Sequence, residues 1–424
     1  MKTTALRLYG KNDLRLETFE LPPIKENEIL FKVISDSVCM STYKAVIQGK
    51  DHKRIPEDVD QNPTLMGHEF CGEVIEVGER WKERYKTGEK YAIQPAHNKN
   101  GTLKAPGYSY QFCGGDATYC ILPSELMEME CLLKYEADAC FYGSLAEPVS
   151  CIIRAYHAVY HAEMGTYAIE MGIKKGGNMA LLAGVGPMGL GAIDYALHNP
   201  GKRPKLLVAT DISEERLARA KELFTVKDAK QNGVKLHYLN TSKIDAVHEL
   251  MLLSDGQGYD DVFVFTPVKQ VIEQGDSILT KNACLNFFAG PADPAFKAEI
   301  NFYNIHYNYT HILGTVGGNR DDMQEALKLM SNGMMTPSAM ITHIGGLDSA
   351  KETTLDLPKI SGGKKLIYTH IRMPLTAIAD FADRGKTEPV FVKLNEICMR
   401  SGGLWTPEAE QYLLENAPAI NKNS

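Results

Sequence analysis

The apolar run Met179-Ala180-Leu181-Leu182-Ala183 leads straight into Gly184-Val185-Gly186-Pro187-Met188-Gly189, and a helical pattern follows through Leu197. A second apolar run, Leu206-Leu207-Val208-Ala209-Thr210, ends at Asp211, 22 residues beyond Gly189. Strand, glycine turn, helix and strand in this order make a βαβ unit, which commits the stretch to a parallel sheet. In that setting the spacing G-x-G-x-x-G has a mechanism. The first glycine permits the tight turn, the second lets the backbone approach a pyrophosphate, and the third lets helix and strand pack closely. The helix N-terminus adds partial positive charge, so Gly184, Val185, Gly186, Pro187, Met188 and Gly189 are read as dinucleotide-binding residues. Asp211 is placed to accept hydrogen bonds from ribose hydroxyls, and its carboxylate favours NAD(H) by repelling a 2′-phosphate. Arg216, in the helix that follows, pulls the other way, because it can stack on adenine or pair with a phosphate; NADP(H) stays open.

The rest of the chain is β-rich before this unit and mixed after it. Ala5-Leu6-Arg7-Leu8-Tyr9, Leu14-Arg15-Leu16-Glu17 and Glu28-Ile29-Leu30-Phe31-Lys32-Val33 are short alternating runs between Gly, Asn and Pro punctuation. A polar excursion from about Asn98 to Asp116 interrupts them, and Leu145-Ala146-Glu147-Pro148 opens a helical stretch toward Tyr167. Later apolar runs at 262–265 and 284–289 supply further parallel strands. The helix 323–330 and the segment 340–344 return the chain to its first part, and the tail from about Lys364 adds a strand and helices. The expected division is 1–150, 151–316 and 317–424.

With 46 basic against 53 acidic residues, the net charge of −7 argues against a general nucleic-acid binder, which needs a positive face to displace counterions. No apolar stretch reaches bilayer length, and Met1-Lys2-Thr3-Thr4-Ala5-Leu6-Arg7 lacks the apolar core of a signal peptide. Nine scattered cysteines, an odd number, suit a reducing compartment. A cytoplasmic location without membrane or nucleic-acid partners is expected, in a homo-oligomer (dimer or tetramer).

A second constellation is Gly67-His68-Glu69-Phe70-Cys71-Gly72, followed by Gly78, with Cys39 upstream and Glu147 downstream. It is not H-E-x-x-H, because no second histidine follows at helical spacing. A thiolate, an imidazole and one or two carboxylates from separate loops make a reasonable catalytic-zinc shell. Taken singly, the residues have plainer readings: a buried cysteine, a core histidine and a helix-capping glutamate.

The segment from Gly67 to Gly78 resembles the G-H-E-x-x-G-x-x-x-x-x-G signature of the zinc-dependent medium-chain dehydrogenase/reductase family. Cys39-Met40-Ser41-Thr42-Tyr43-Lys44 resembles its first-ligand segment, and Glu147-Pro148 the acidic ligand of its sorbitol-dehydrogenase branch. The resemblance covers residues 1–342 and leaves the tail uncovered. It implies an α/β chain in which a GroES-like, β-rich catalytic domain is split around a Rossmann domain with a doubly wound parallel sheet. It further implies that Cys39 and His68 bind zinc, that Glu69 and Glu147 share the remaining ligand duty, and that Ser41 takes the alcohol proton. Where the family carries four close cysteines for a structural zinc, this chain has Cys113 and Cys120, so one catalytic zinc and no structural zinc is expected. Thr42 and Lys44 stand where the family often has an acid and a histidine, which unsettles the usual proton relay and leaves Lys44 able to hold an anionic group.

The reaction expected is hydride transfer between a nicotinamide and a secondary alcohol or ketone, with zinc as Lewis acid. Lys44, Lys50, His52, Lys53 and Arg54 form a basic run that can bind phosphate or simply be a solvated loop. The chain is similar to sugar-phosphate reductases of the sorbose-1-phosphate type, which implies a polyol or ketose phosphate and draws the cofactor toward NADPH. A simple alcohol or amino-alcohol dehydrogenase is the alternative within the family. A zinc-free enone reductase is disfavoured by the Cys39, His68 and Glu147 set, and a non-catalytic dinucleotide-binding protein on this scaffold is the remaining rival.

Overall fold

The structure, a computed structural model, describes residues 1–96 and 99–420. Asn98, at the start of the polar excursion, lies outside the described residues. Two compact units form: residues 1–148, 319–331 and 341–424 make one, and 149–318 with 332–340 make the other.

The second unit holds a six-stranded parallel sheet among the described residues. Its strands are, in order across the sheet, Lys235–Asn240, Leu206–Asp211, Asn178–Leu182, Tyr259–Val264, Leu279–Phe287 and His311–Gly314. Counted in chain order this is 3-2-1-4-5-6, the doubly wound order of a Rossmann sheet. Asn178–Leu182 and Tyr259–Val264 are buried along their whole length, as strands covered on both faces must be, which is why residues 179–182 and 262–264 within them are unbroken apolar runs rather than alternating ones.

The first unit is built on an eight-stranded sheet among the described residues. The strand Ile29–Val38 lies at its centre and pairs antiparallel with Phe70–Val77, Tyr119–Leu122 and Lys364–Tyr368. The tail therefore belongs to this unit. Its helices Pro389–Arg400 and Pro407–Asn416 share an apolar core with Phe141, Leu145, Ile344, Tyr368 and Trp405.

One element departs from the sequence expectation. The helix expected from Leu145 toward Tyr167 runs Phe141–Ala158 and is followed by the antiparallel pair Tyr160–Ala162 and Ile169–Met171, with Tyr167 exposed at the turn. It stops early because the chain after Ala158 turns into the strand Tyr160–Ala162, and Gly165, at φ 84°, takes the left-handed conformation that the turn of this hairpin requires. It starts early because the Cys140 and Phe141 amides find an acceptor in Glu410, a cap 270 and 269 residues away that no local pattern announces.

Candidate functional site

Cys39 follows the central strand of the first unit and occupies the N-cap of the helix Met40–Gln48, with extended backbone (φ −114°, ψ 146°). His68 and Glu69 lie just before the strand Phe70–Val77. Gly67 makes this approach possible: its φ is 87°, and a Cβ there would sit 2.2 Å from Asp36 Oδ2 and 2.5 Å from the Asp116 amide nitrogen. The signature glycine is thus required by close packing against two buried carboxyl residues.

The fold brings Cys39, His68 and Glu69 together, with their ligand atoms all within 4.8 Å of one another. His68 Nδ1 is 3.1 Å from Thr42 Oγ1, which leaves Nε2 on the side of Glu69 Oε1, 4.0 Å away. Ser41 Oγ donates to Cys39 Sγ at 3.0 Å and lies 3.3 Å from His68 Nε2. Burial holds His68 neutral, pushed down to about 4, and pushes the Cys39 thiol up to about 12. A neutral imidazole is the metal-binding form, and a thiol so raised, even with the Lys364 ammonium nearby, would need a bound metal ion to ionise. Sulfur, nitrogen and oxygen donors at this spacing fit zinc, whose bonds to such atoms are about 2.0–2.3 Å.

Glu147 lies outside that close group. It is buried on the helix Phe141–Ala158, near enough for its charge to raise the Cys39 thiol and to favour the ammonium of Lys364. Lys364 was not among the residues singled out from the sequence. Its Nζ donates to Glu69 Oε1 at 2.6 Å and Oε2 at 2.5 Å, and the Ser37 hydroxyl also donates to Glu69. Burial alone lowers Lys364, but the Glu69 carboxylate and Cys39 beside it more than reverse this and keep it charged. A divalent ion together with this ammonium would match the charge of a Cys39 thiolate and the Glu69 and Glu147 carboxylates.

Tyr108, from the polar excursion, also escaped the sequence reading. Its hydroxyl donates to Ser41 Oγ at 2.9 Å, and its ring lies 4.9 Å from that of His68. His52 stacks on the same ring at 5.7 Å, and the Arg54 guanidinium lies 5.8 Å from its centre while donating to the Leu103 carbonyl at 2.9 Å. Burial first, then the charges of Arg54, Lys53 and Lys44, push His52 down to about 4. Lys44 is half-buried on the helix Met40–Gln48, whereas Lys50 and Lys53 are exposed. Cys113 and Cys120 lie in an apolar core cluster of the first unit.

In the second unit the glycine turn forms as its spacing requires. A Cβ on Gly189 would lie 2.3 Å from the Gly184 carbonyl, so helix and strand meet without room for a side chain. A Cβ on Gly186 would meet nothing within 4 Å, which leaves open space at the N-cap of the helix Pro187–His198 where a phosphate group fits. Val185 is buried beneath the turn, and Met188 is half-buried. Asp211 ends the strand Leu206–Asp211, its Oδ1 accepting from the Ile212 and Ser213 amides at 2.8 and 2.9 Å. Arg216 is exposed in the first turn of the next helix.

A doubly wound sheet with a glycine turn, together with a β-rich unit holding a zinc-type donor set, defines a zinc-dependent alcohol or polyol dehydrogenase. The alcohol dehydrogenase GroES-like domain family matches residues 25–132 and the zinc-binding dehydrogenase family residues 187–332. The chain is 50% identical to the mannitol-1-phosphate 5-dehydrogenase of Aliivibrio fischeri over 98% of both chains. It is 46% identical to the L-sorbose 1-phosphate reductase of Klebsiella pneumoniae over 99% of this chain and 98% of that one. The crystal structure of the 2R,3R-butanediol dehydrogenase of Bacillus subtilis superposes with a TM-score of 0.69 at 25% identity, covering 86% of this chain and 99% of its own. The chain belongs to the zinc-dependent medium-chain dehydrogenase/reductase family. Among the described residues no helix is long and apolar enough to cross a membrane.

Proposed function

We propose that the chain interconverts a phosphorylated polyol and its ketose, using one zinc held by Cys39, His68 and the carboxylates of Glu69 and Glu147, with NAD(H) as the preferred dinucleotide. The observation that carries the substrate reading is the cation beside the donor set: the Arg54 guanidinium lies over Tyr108, on which the neutral His52 ring also stacks, and the Tyr108 hydroxyl reaches Ser41. Two relatives named for sugar phosphates support it, although they name different ones.

Zinc, when bound, supplies Lewis acidity toward the substrate oxygen, and the dinucleotide carries the hydride. Ser41 acts as a relay: its Oγ accepts the alcohol proton as its own hydroxyl proton is given up, so that one proton passes outward to solvent and the hydroxyl stays neutral. Because Tyr108 donates to that oxygen, the Ser41 hydrogen is directed away from Tyr108 and toward the metal donors. Lys364 and Ser37 hold the Glu69 carboxylate in place. Arg54 and Lys44 hold the phosphate, Arg54 with a planar fork suited to that group.

The test compares kcat/KM for a sugar phosphate and its unphosphorylated parent. Arg54→Ala and Lys44→Ala are each expected to lower the value for the phosphate about 10- to 100-fold, the loss of one charge-assisted hydrogen bond, and to spare the parent sugar. Equal turnover of the parent by the wild type, or parallel losses on both substrates, would leave a neutral polyol as the better substrate.

The cofactor reading has its own measurement. Asp211 is expected to make kcat/KM higher with NAD(H) than with NADP(H), and Asp211→Ala to narrow the difference. A wild-type preference for NADP(H) would mean that Arg216 outweighs the carboxylate.

A further inference from the structure

The helix that carries Glu147 is fixed at its first turn from two sides. On one side, the Cys71 thiol donates to the Cys140 carbonyl at 2.8 Å and the Ser144 hydroxyl donates to the Ser35 carbonyl at 3.0 Å. These contacts tie the turn to Phe70–Val77 and Ile29–Val38, the strands that flank His68, Glu69 and Cys39. The fit is close: a Cβ on Gly143 would lie 2.5 Å from Cys71 Cβ.

On the other side stands the tail. Glu410, in the helix Pro407–Asn416 and 3% exposed, accepts from the Cys140 amide at 2.5 Å and the Phe141 amide at 2.9 Å. Its Oε2 also accepts from the Tyr368 hydroxyl at 2.6 Å, and the Trp405 indole donates to that hydroxyl at 2.8 Å. Tyr368 and Lys364 belong to one strand, four residues apart and so on one face by the two-residue period. That strand therefore holds Glu69 through Lys364 and, through Tyr368, the carboxylate that caps the Glu147 helix.

We infer that Glu410 is a positioning residue of the metal site: the Trp405, Tyr368 and Glu410 chain couples the tail to Glu147 and sets how that carboxylate meets the ion. The inference rests on the proposed ligand role of Glu147. A carboxylate accepting two amides at a helix start also opposes the positive end of the helix dipole, so the junction is held by charge as well as geometry.

The test is a double-mutant cycle on the full-length chain, read as the zinc dissociation constant by chelator competition, with thermal unfolding measured alongside. Glu410→Gln keeps the side chain's size but turns an acceptor into a donor, and is expected to weaken zinc about 10-fold, as outer-shell substitutions do. Tyr368→Phe, which removes one hydroxyl, is expected to act in the same direction and carries the cycle if Glu410→Gln does not fold. In a Glu147→Gln background either substitution should weaken zinc no further, because its route to the ion is gone. An unchanged zinc affinity in Glu147→Gln alone overturns the ligand role of Glu147 and this inference with it. If Glu147→Gln weakens zinc but the Glu410 and Tyr368 variants lower only the unfolding temperature, or weaken zinc equally in both backgrounds, the ligand role stands and the positioning role falls.

Discussion

Replacing Cys39 by alanine is expected to remove bound zinc and to lower kcat/KM for the alcohol by about three orders of magnitude or more. The estimate follows from the several kcal/mol a Lewis-acid metal contributes to the transition state, at about 1.4 kcal/mol per factor of ten. Cys39 is the sole sulfur in the donor group, and burial pushes its thiol up to about 12. The ion must therefore displace a tightly held proton to form the thiolate that binds it, and wild-type zinc affinity should rise with pH. Metal analysis of the wild type should find about one zinc per chain, and of Cys39→Ala far less. Two zincs per chain in the wild type, or full activity in the variant, would sink the single-site reading.

Lys364→Met should produce the largest loss of stability. Lys364 and Glu69 have side chains only 7% and 1% exposed, and the ammonium meets both carboxylate oxygens. Removing one partner leaves a buried charge without compensation, at a cost of about 3–5 kcal/mol. Denaturant unfolding of the metal-free protein measures this directly. Adding Glu69→Gln to Lys364→Met should recover much of the loss, because a neutral pair has no stranded charge. An unchanged midpoint and slope for Lys364→Met would mean that Glu69 is already neutral or hydrated, contrary to the geometry.

The sequence alone determined the parts whose causes are local. Asn178–Leu182, the glycine turn and the helix Pro187–His198 are contiguous, and their apolar period and glycine spacing are set by contacts within that short stretch, such as Gly189 against Gly184. His68 and Glu69 were legible for a related reason: Gly67, Gly72 and Gly78 stand where close packing admits no side chain, so the pattern survives as a readable string, whereas Cys39 was legible only from the resemblance of its segment to the family's first-ligand segment. What surrounds that donor set was decided only in three dimensions. Lys364 meets Glu69 across 295 residues because Lys364–Tyr368 pairs with Ile29–Val38, and no periodicity along the chain encodes which strand will lie beside which. Tyr108 reaches Ser41 from a polar excursion without regular period, and Glu410 caps a helix 270 residues earlier in the chain. The protonation states belong to the same level: burial, which holds His68 neutral and raises Cys39, is a property of everything packed around a residue rather than of its neighbours in the chain.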